Sequence, residues 1–227
     1  NRNLIINGAM QVAQRGTSFS PSVTQYCLDR FLSSLAGGTS ARFTMTQSTD
    51  APSGFGYSLK WDCTTAQASL PTGGAIYDDI RLEGLNLQNL AYGLSSAQDM
   101  TLSFWVKSNK TGTYVVWFYM PDGGQHAGAT YTISSADTWE NKTLTISGNT
   151  AQAIANDNTA GLFVRFVYGA GSNYTSGTQV TSWASDNAAN RYADQTVNIA
   201  DSTSNYINIT GVQLEVGDTA TPFEHRS

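Results

Sequence analysis

Charged side chains are scarce in this chain. Of its 227 residues, 13% are Asp, Glu, Lys or Arg, against roughly 25% in average soluble domains. Ser, Thr, Asn, Gly and Ala take their place, so we expect a surface that is polar but mostly neutral. The net charge is −5, with 12 basic residues, and no Lys/Arg cluster occurs. These features argue against binding to nucleic acid or to an anionic membrane.

Cysteines and long apolar runs are also few. The two cysteines, Cys27 and Cys63, both lie in stretches of alternating apolar residues. We expect two buried thiols, with a disulfide between them as the alternative, because a single pair is not the pattern of a disulfide scaffold. No apolar run reaches about 18 residues, so no membrane-spanning helix is predicted.

Catalytic motifs are missing as well. There are only two histidines, and His126 follows a Gly-rich segment that is expected to form a surface turn. No nucleophile elbow, zinc-protease helix, P-loop or dinucleotide fingerprint is present. Asp78 and Asp79 would point to opposite faces of a strand, and Asp79 with Glu83 is most simply a pair of solvent-facing charges. The sequence therefore predicts a protein that is not an enzyme.

Alternation of apolar and polar residues is typical of β-strands and covers most of the chain. About ten to thirteen strands separated by turn signals indicate an all-β sandwich or jelly roll of two antiparallel sheets. We predict one domain over residues 1–227. At most one short helix is expected, where Leu87 and Leu90 have helical spacing and Gly93 follows as a stop.

The last strand has a change of phase in its middle. Apolar residues occupy odd positions before Thr210 and even positions after Gly211. One extra residue absorbed at Gly211 would keep the apolar face inward, so a β-bulge is predicted there. The strand should end at Gly217 and let Phe223 fold back onto the body. We also predict that a first strand at residues 4–6 pairs with it.

Aromatic residues suggest a binding surface. Residues 169–198 lack alternation and form a long predicted loop, which is usually functional or disordered. It contains four candidates for ligand contact: Tyr174, Trp183, Arg191 and Tyr192. Trp117 and Tyr119 share one face of a strand at 113–120 that is apolar on both faces, so they are further candidates, with core or subunit contact as the alternative. Aromatic faces and polar tips are what pyranose rings require.

Four segments carry a family resemblance. They are NLIINGAMQVAQRGTSF, TLSFWVKSNKTGTY, DTWENKTLTI and, most specifically, the C-terminal ITGVQLEVGDTATPFEHRS. The chain resembles the jelly-roll domain of bacteriophage tail-fibre and related virion proteins. The resemblance implies a sandwich of the carbohydrate-binding-module kind on a virus particle, a host-surface glycan and other virion proteins as partners, and a homotrimer. No cofactor is predicted; such jelly rolls often hold a structural Ca²⁺, for which Asp186, Asp194 and Asp201 are candidate ligands.

Three functions follow from these observations. The first is a non-enzymatic virion structural domain, in a tail fibre or a surface decoration, that recognises host carbohydrate. The second is a carbohydrate-binding module of a secreted enzyme or adhesin. The third is a depolymerase that uses two carboxylates. The first agrees best with the C-terminal motif and with the charge-poor composition.

Overall fold

Residues 2–225 are described by a computed structural model and form thirteen strands. In chain order these are β1 (Ser18–Phe19), β2 (Gln25–Tyr26), β3 (Leu32–Ala36), β4 (Phe43–Ser48), β5 (Ser58–Cys63), β6 (Ala75–Glu83), β7 (Met100–Ser108), β8 (Gly112–Met120), β9 (Gln125–Ile133), β10 (Glu140–Ile146), β11 (Ala160–Ala170), β12 (Ala184–Ser185) and β13 (Tyr206–Val216).

The strands form two antiparallel sheets. One has six strands in the order β1-β4-β5-β13-β7-β10, and the other has seven in the order β12-β9-β8-β11-β6-β3-β2. Strands distant in sequence are neighbours, since β13 lies between β5 and β7. The all-β jelly-roll sandwich predicted from the sequence is confirmed.

The core lies between the two sheets and contains many aromatic rings. Trp61 on β5 contacts Tyr168 on β11 edge to face, with ring centroids 5.3 Å apart, and Phe104 on β7 contacts Phe166 on β11 in the same way at 5.0 Å. All four side chains are fully buried. Truncating one such ring typically costs about 3–5 kcal/mol, so these contacts hold the two sheets together.

One carboxyl group is buried in this core. Asp78 accepts hydrogen bonds from Ser33 Oγ at 2.7 Å, from Trp61 Nε1 at 2.9 Å and from the Tyr168 hydroxyl at 2.8 Å. Burial raises the pKa of Asp78 to about 7, although the three donors favour the charged form. Asp78 and Asp79 do point to opposite faces of β6, as predicted.

Both cysteines are buried and unpaired. The expectation of two thiols is therefore confirmed, and the disulfide is not formed. Burial raises the pKa of Cys27 to about 11, which makes its thiolate rare at neutral pH.

The predicted bulge in β13 is present. Thr210 pairs with Trp105 and Gln213 pairs with Ser103, so two residues of β13 lie opposite one of β7. Gly211 takes a positive φ of 61°, a conformation that glycine adopts without steric cost. The bulge keeps the apolar residues of both halves of the strand inward, and β13 ends at Val216.

The first and last segments of residues 2–225 both lie near β13. Phe223 packs edge to face on Phe55, with centroids 5.0 Å apart. The predicted first strand at residues 4–6 is not formed, so its strand pairing with β13 is wrong. A backbone hydrogen bond instead runs from Leu4 N to Leu214 O at 2.8 Å. The turn that follows, with Asn7 at a φ of 61°, prevents a longer ladder.

Helical structure is confined to short turns. The predicted turn near Leu87 consists of two 3-10 segments, Gly84–Asn86 and Gln88–Leu90, and it is stopped by Ala91 in the left-handed region rather than by Gly93. Among residues 2–225 the one α-helix, α1 (Ser172–Thr175), has four residues, whereas a helix that crosses a bilayer needs about 20.

The long segment after β11 lies across the seven-stranded sheet. It begins at residue 171, since Gly169 and Ala170 still belong to β11. We call residues 171–198 the covering loop. Val115 N on β8 donates to Gln195 Oε1 at 2.8 Å, and Gly128 N on β9 donates to Val180 O at 2.7 Å. The second apolar face of β8 is thus covered by the same chain.

Candidate functional site

The face of the seven-stranded sheet that is turned away from the core carries most of the polar and aromatic candidates. We call it the outer face. Side chains alternate along a strand, and residues in register on adjacent strands point to the same side. Arg165 on β11 is in register with Asp79 and Trp117, and Phe163 with Arg81 and Tyr119. The outer face therefore presents seven central side chains: Tyr77, Asp79, Arg81, Trp117, Tyr119, Phe163 and Arg165.

An ion pair lies at the centre of this face. Arg165 Nε donates to Asp79 Oδ1 at 2.7 Å and its Nη2 donates to Asp79 Oδ2 at 2.8 Å. The guanidinium lies 3.7 Å from the ring centroid of Tyr77 and 4.7 Å from that of Trp117. A bidentate pair between two rings fixes the guanidinium plane. Asp79 is consequently an ion-pair partner, and its interpretation as a solvent-facing charge is wrong.

Tyr192 of the covering loop closes over this pair. Its hydroxyl accepts a hydrogen bond from Arg165 Nη1 at 2.5 Å, and its ring contacts Trp117 edge to face. Burial raises the pKa of Tyr192 to about 12, an effect that the neighbouring Arg165 reduces. Tyr192 is 1% exposed and Trp117 is 3% exposed. In this conformation both residues support the surface and do not present a ring to a ligand.

His126 and Arg191 complete the inner layer. Trp117 Nε1 donates to His126 Nδ1 at 2.9 Å, and Arg191 is ion-paired with Asp186 through two hydrogen bonds. Burial lowers the pKa of His126, which favours the neutral imidazole that accepts this bond. The expectation of a surface turn for His126 is wrong, because the residue lies buried on β9, next to the β12 edge strand.

Four aromatic side chains remain partly exposed on the outer face. Tyr119 stacks on Trp117, with centroids 4.9 Å apart and an interplanar angle of 8°. Phe163 contacts Tyr119 edge to face at 5.7 Å, and the guanidinium of Arg81 lies 4.7 Å from the Phe163 ring centroid. Tyr77 and Tyr174 are also partly exposed. We call Tyr119, Phe163 and Arg81 the exposed row.

The structure brings five of the six sequence-predicted residues together on the outer face. Tyr174 lies on the covering loop and contacts Tyr192, with centroids 5.5 Å apart. Arg191 lies 5.5 Å from the Trp117 ring centroid. Trp183 lies elsewhere: its Nε1 donates to Ser147 O at 2.8 Å and its ring packs on Tyr92. The sixth candidate is therefore half-buried and lies apart from the other five.

Sequence reasoning missed Tyr77, Arg81, Phe163 and Arg165 as parts of this face. A signal for them exists, because residues 77, 79 and 81 alternate with apolar residues 76, 80 and 82 along β6. On β11 the same period places Phe163 and Arg165 on one side. What was missing is the order of the strands, which makes β6, β11 and β8 neighbours.

The carboxylates considered for Ca²⁺ do not form a site. Asp186 is bound to Arg191, while Asp201 is bound to Lys110 and accepts a hydrogen bond from Asn205. Over residues 2–225 no group of three or more His, Cys, Asp or Glu side chains is arranged to hold a metal ion. Asp186 and Asp201, each held by a basic side chain, do not fit the oxygen-rich coordination that Ca²⁺ requires.

Comparison with known proteins shows that this chain is similar in fold to several solved structures. No protein-family model matches the chain, and no curated protein does. A putative sugar binding protein from Bacteroides thetaiotaomicron is 13% identical, with a TM-score of 0.51 over 94% of this chain and 99% of that one.

Two further structures are similar over 95% of this chain. The enzymatically active domain of bacteriophage CBA120 tailspike protein 4 is 16% identical, with a TM-score of 0.48 and 21% of its own chain covered. The chain thus spans about a fifth of that protein's length. The module TmCBM61, solved with β-1,4-galactotriose, is 11% identical over 99% of its chain, with a TM-score of 0.43.

Proposed function

We propose that this chain is a non-catalytic carbohydrate-binding domain of a bacteriophage virion protein, in a tail fibre or a surface decoration. It binds host-surface glycan through the outer face of its seven-stranded sheet. The observation that carries the proposal is the exposed row, in which two aromatic rings and a guanidinium lie side by side on a rigid sheet.

The chemistry of the exposed row suits a sugar ring. The apolar C–H face of a pyranose packs against a flat aromatic ring, while its hydroxyls need donors and acceptors at the edge. Tyr119 and Phe163 supply the rings, and Arg81 supplies N–H donors next to them. Because Tyr119 is stacked on Trp117 and Trp117 is fixed by Arg165 and His126, the platform is held before a ligand arrives. Such pre-organisation reduces the entropy that binding costs.

The virion assignment rests on the sequence. The C-terminal segment and the three others that resemble tail-fibre domains support it, as does a surface with few charges. Assembly as a homotrimer with other virion proteins is proposed by analogy with phage fibres. The alternative is a carbohydrate-binding module of a secreted enzyme or adhesin, which uses the same fold and the same surface. Immuno-electron microscopy of particles distinguishes the two, because only a virion protein is labelled on them.

Substitution of the exposed row tests the binding surface. Tyr119→Ala and Phe163→Ala should each weaken glycan binding at least about tenfold, which corresponds to ~1.4 kcal/mol. Binding is measured on a glycan array and then by titration calorimetry with the array's strongest ligand. Tyr57→Ala is the matched control, since Tyr57 is 37% exposed but lies before β5.

Trp183→Ala separates this surface from the loop as a whole. It should leave glycan binding unchanged, because Trp183 packs on Tyr92 away from the exposed row. Thermal melting verifies that each variant is folded. Glycan binding that survives both Tyr119→Ala and Phe163→Ala, or that is lost only in Trp183→Ala, contradicts the proposed surface. A chain that binds no glycan contradicts the function.

A further inference from the structure

Positive charge is concentrated at one end of the outer face, although the protein as a whole carries a charge of −5. A cavity of about 220 Å³ opens there and is lined by Arg15, Tyr26, Asp29, Arg30 and Arg81. Three of the chain's 12 basic residues therefore line one cavity. We call it the arginine cavity. It is continuous with the exposed row through Arg81, whose guanidinium lies over Phe163.

The three guanidinium groups are poorly neutralised. Asp29 binds Arg15 through Oδ1 at 3.1 Å, and its Oδ2 accepts from the backbone N–H of Gln14. Arg81 lies 3.8 Å from Asp79, but both oxygens of Asp79 already accept from Arg165. Within residues 2–225 the Arg30 side chain has neither an ion pair nor a hydrogen bond. The lining of the cavity thus carries three positive charges and one negative charge.

A second, smaller cavity adjoins the first. It has a volume of about 110 Å³ and shares Arg30 and Arg81 with the arginine cavity. Glu83 lies on its wall and is the one acidic residue there. Glu83 is not within ion-pair distance of either arginine in the described part of the chain, so the two guanidinium groups keep their N–H donors available.

The turn that carries Arg30 is fixed in place. Arg30 has a φ of 72°, a left-handed conformation that is uncommon for a residue other than glycine. Phe31 N donates to Leu28 O at 3.0 Å and so closes the turn. Asn7 Nδ2 donates to Asp29 O at 2.9 Å. Strained, exposed positions that the surroundings hold this firmly are concentrated at binding sites.

Tyr26 gives the cavity an aromatic wall. Its side chain is 38% exposed, and the guanidinium of Arg15 lies 5.6 Å from the ring centroid. The cavity therefore offers a partly exposed ring next to guanidinium groups. A guanidinium fork matches the two oxygens of a carboxylate or sulfate and binds them more specifically than an ammonium group does.

From this geometry we infer that the arginine cavity binds the acid group of an anionic sugar, with Arg30 and Arg81 as its donors. The substrate class is an acidic glycan, whose repeating unit carries a carboxylate or sulfate. This inference rests on the proposed function, because the rest of the glycan is expected to lie along the exposed row. The cavity is smaller than the roughly 300–1,000 Å³ of pockets for drug-sized ligands, so it suits one sugar unit.

A glycan array tests the inference with probes of defined charge. It should contain oligogalacturonate, sialylated galactosides and sulfated galactosides, each beside the same backbone without its acid group. The wild-type chain should prefer the acidic member of at least one pair by fivefold or more. That preference should be larger at about 0.01 M salt than at about 1 M, where the Debye length falls from about 30 Å to about 3 Å.

Variants locate the site. Arg30→Gln and Arg81→Gln should each remove at least four-fifths of the binding to the acidic probe. Lys142→Gln is the matched control, since it removes one positive charge from β10 of the other sheet and should change nothing. Thermal melting establishes that all three variants are folded.

The outcomes are distinguishable. Preference for acidic glycans that is lost in Arg30→Gln and Arg81→Gln but not in Lys142→Gln supports the inference. Binding to neutral and acidic members alike overturns it and leaves the proposed function intact. Acidic preference that persists in both arginine variants overturns the assignment to this cavity. Binding to no probe on the whole array removes the proposed function and the inference together.

Discussion

Arg165 and Asp79, 86 residues apart in sequence, form a bidentate ion pair on the outer face of the seven-stranded sheet. Both side chains are buried, and the guanidinium lies between the rings of Tyr77 and Trp117. The pair connects β6 to β11 and fixes Trp117, which in turn supports Tyr119. The geometry of the exposed row therefore depends on an ion pair that a ligand need not touch.

Breaking this pair should destabilise the fold. Asp79→Asn leaves the buried guanidinium of Arg165 without its counter-charge, and removal of one partner of a buried pair typically costs about 3–5 kcal/mol. The free energy of unfolding in urea measures the effect. Asp62→Asn is the control, because Asp62 makes a partly exposed ion pair with Lys60, and ion pairs at the surface are worth about 0–1 kcal/mol. Equal effects of the two substitutions would contradict the structural role of Asp79.

Asp78 should make stability depend on pH. Its pKa in the folded protein is about 7, above the ordinary value of 3.8. Between these values the folded state binds more protons than the unfolded state, so the free energy of unfolding falls as pH rises from about 4 through about 7. The pKa of the buried His126 is lowered from its ordinary value of 6.5. His126 therefore has the opposite effect, since below pH 6.5 it makes the free energy of unfolding rise with pH.

Comparison with Asp78→Asn isolates this contribution. Urea denaturation of both proteins at about pH 5 and about pH 8 gives the change in the free energy of unfolding across the range. Wild-type protein should lose more stability than Asp78→Asn between the two pH values, since the amide does not titrate. If both proteins change by the same amount, Asp78 does not carry an elevated pKa.

The bulge in β13 should require glycine at position 211. A Cβ there would lie 2.7 Å from Phe55 Cζ, and the φ of 61° disfavours any L side chain. Gly211→Ala should therefore cost more than about 1 kcal/mol of stability. Gly217→Ala separates the backbone strain from the steric clash, because Gly217 has a φ of 109° but no atom within 4 Å of an added Cβ. Gly56→Ala, with neither strain nor a close atom, should be nearly neutral.

The thiols should be unreactive in the folded protein. Cys27 and Cys63 are buried and unpaired, and burial raises both pKa values, so neither forms an accessible thiolate at neutral pH. A thiol-specific colorimetric reagent should label neither cysteine in native protein and both after unfolding in guanidinium. Labelling of one cysteine without denaturant would show that its part of the sandwich opens locally.

Local pattern was sufficient to predict the all-β class and the bulge. The change of phase at Thr210 and Gly211 placed the bulge correctly. Side chains alternate along a strand, so a single register keeps the apolar residues inward. The first strand was predicted wrongly, since Ile5 is buried but Asn7 turns the chain before a ladder can form. Short apolar runs carry no information on such turns.

The sequence by itself determined the all-β class, the buried thiols and the aromatic character of the covering loop, because composition and alternation are properties of neighbouring residues. Only the tertiary structure decided which side chains share the outer face. It placed Arg165 against Asp79, buried Tyr192 and Trp117, packed Trp183 against Tyr92 and gathered Arg15, Arg30 and Arg81 around one cavity. The physical reason is the order of the strands: pairing across a sheet joins segments far apart in the chain, and that order is set by packing of the whole sandwich.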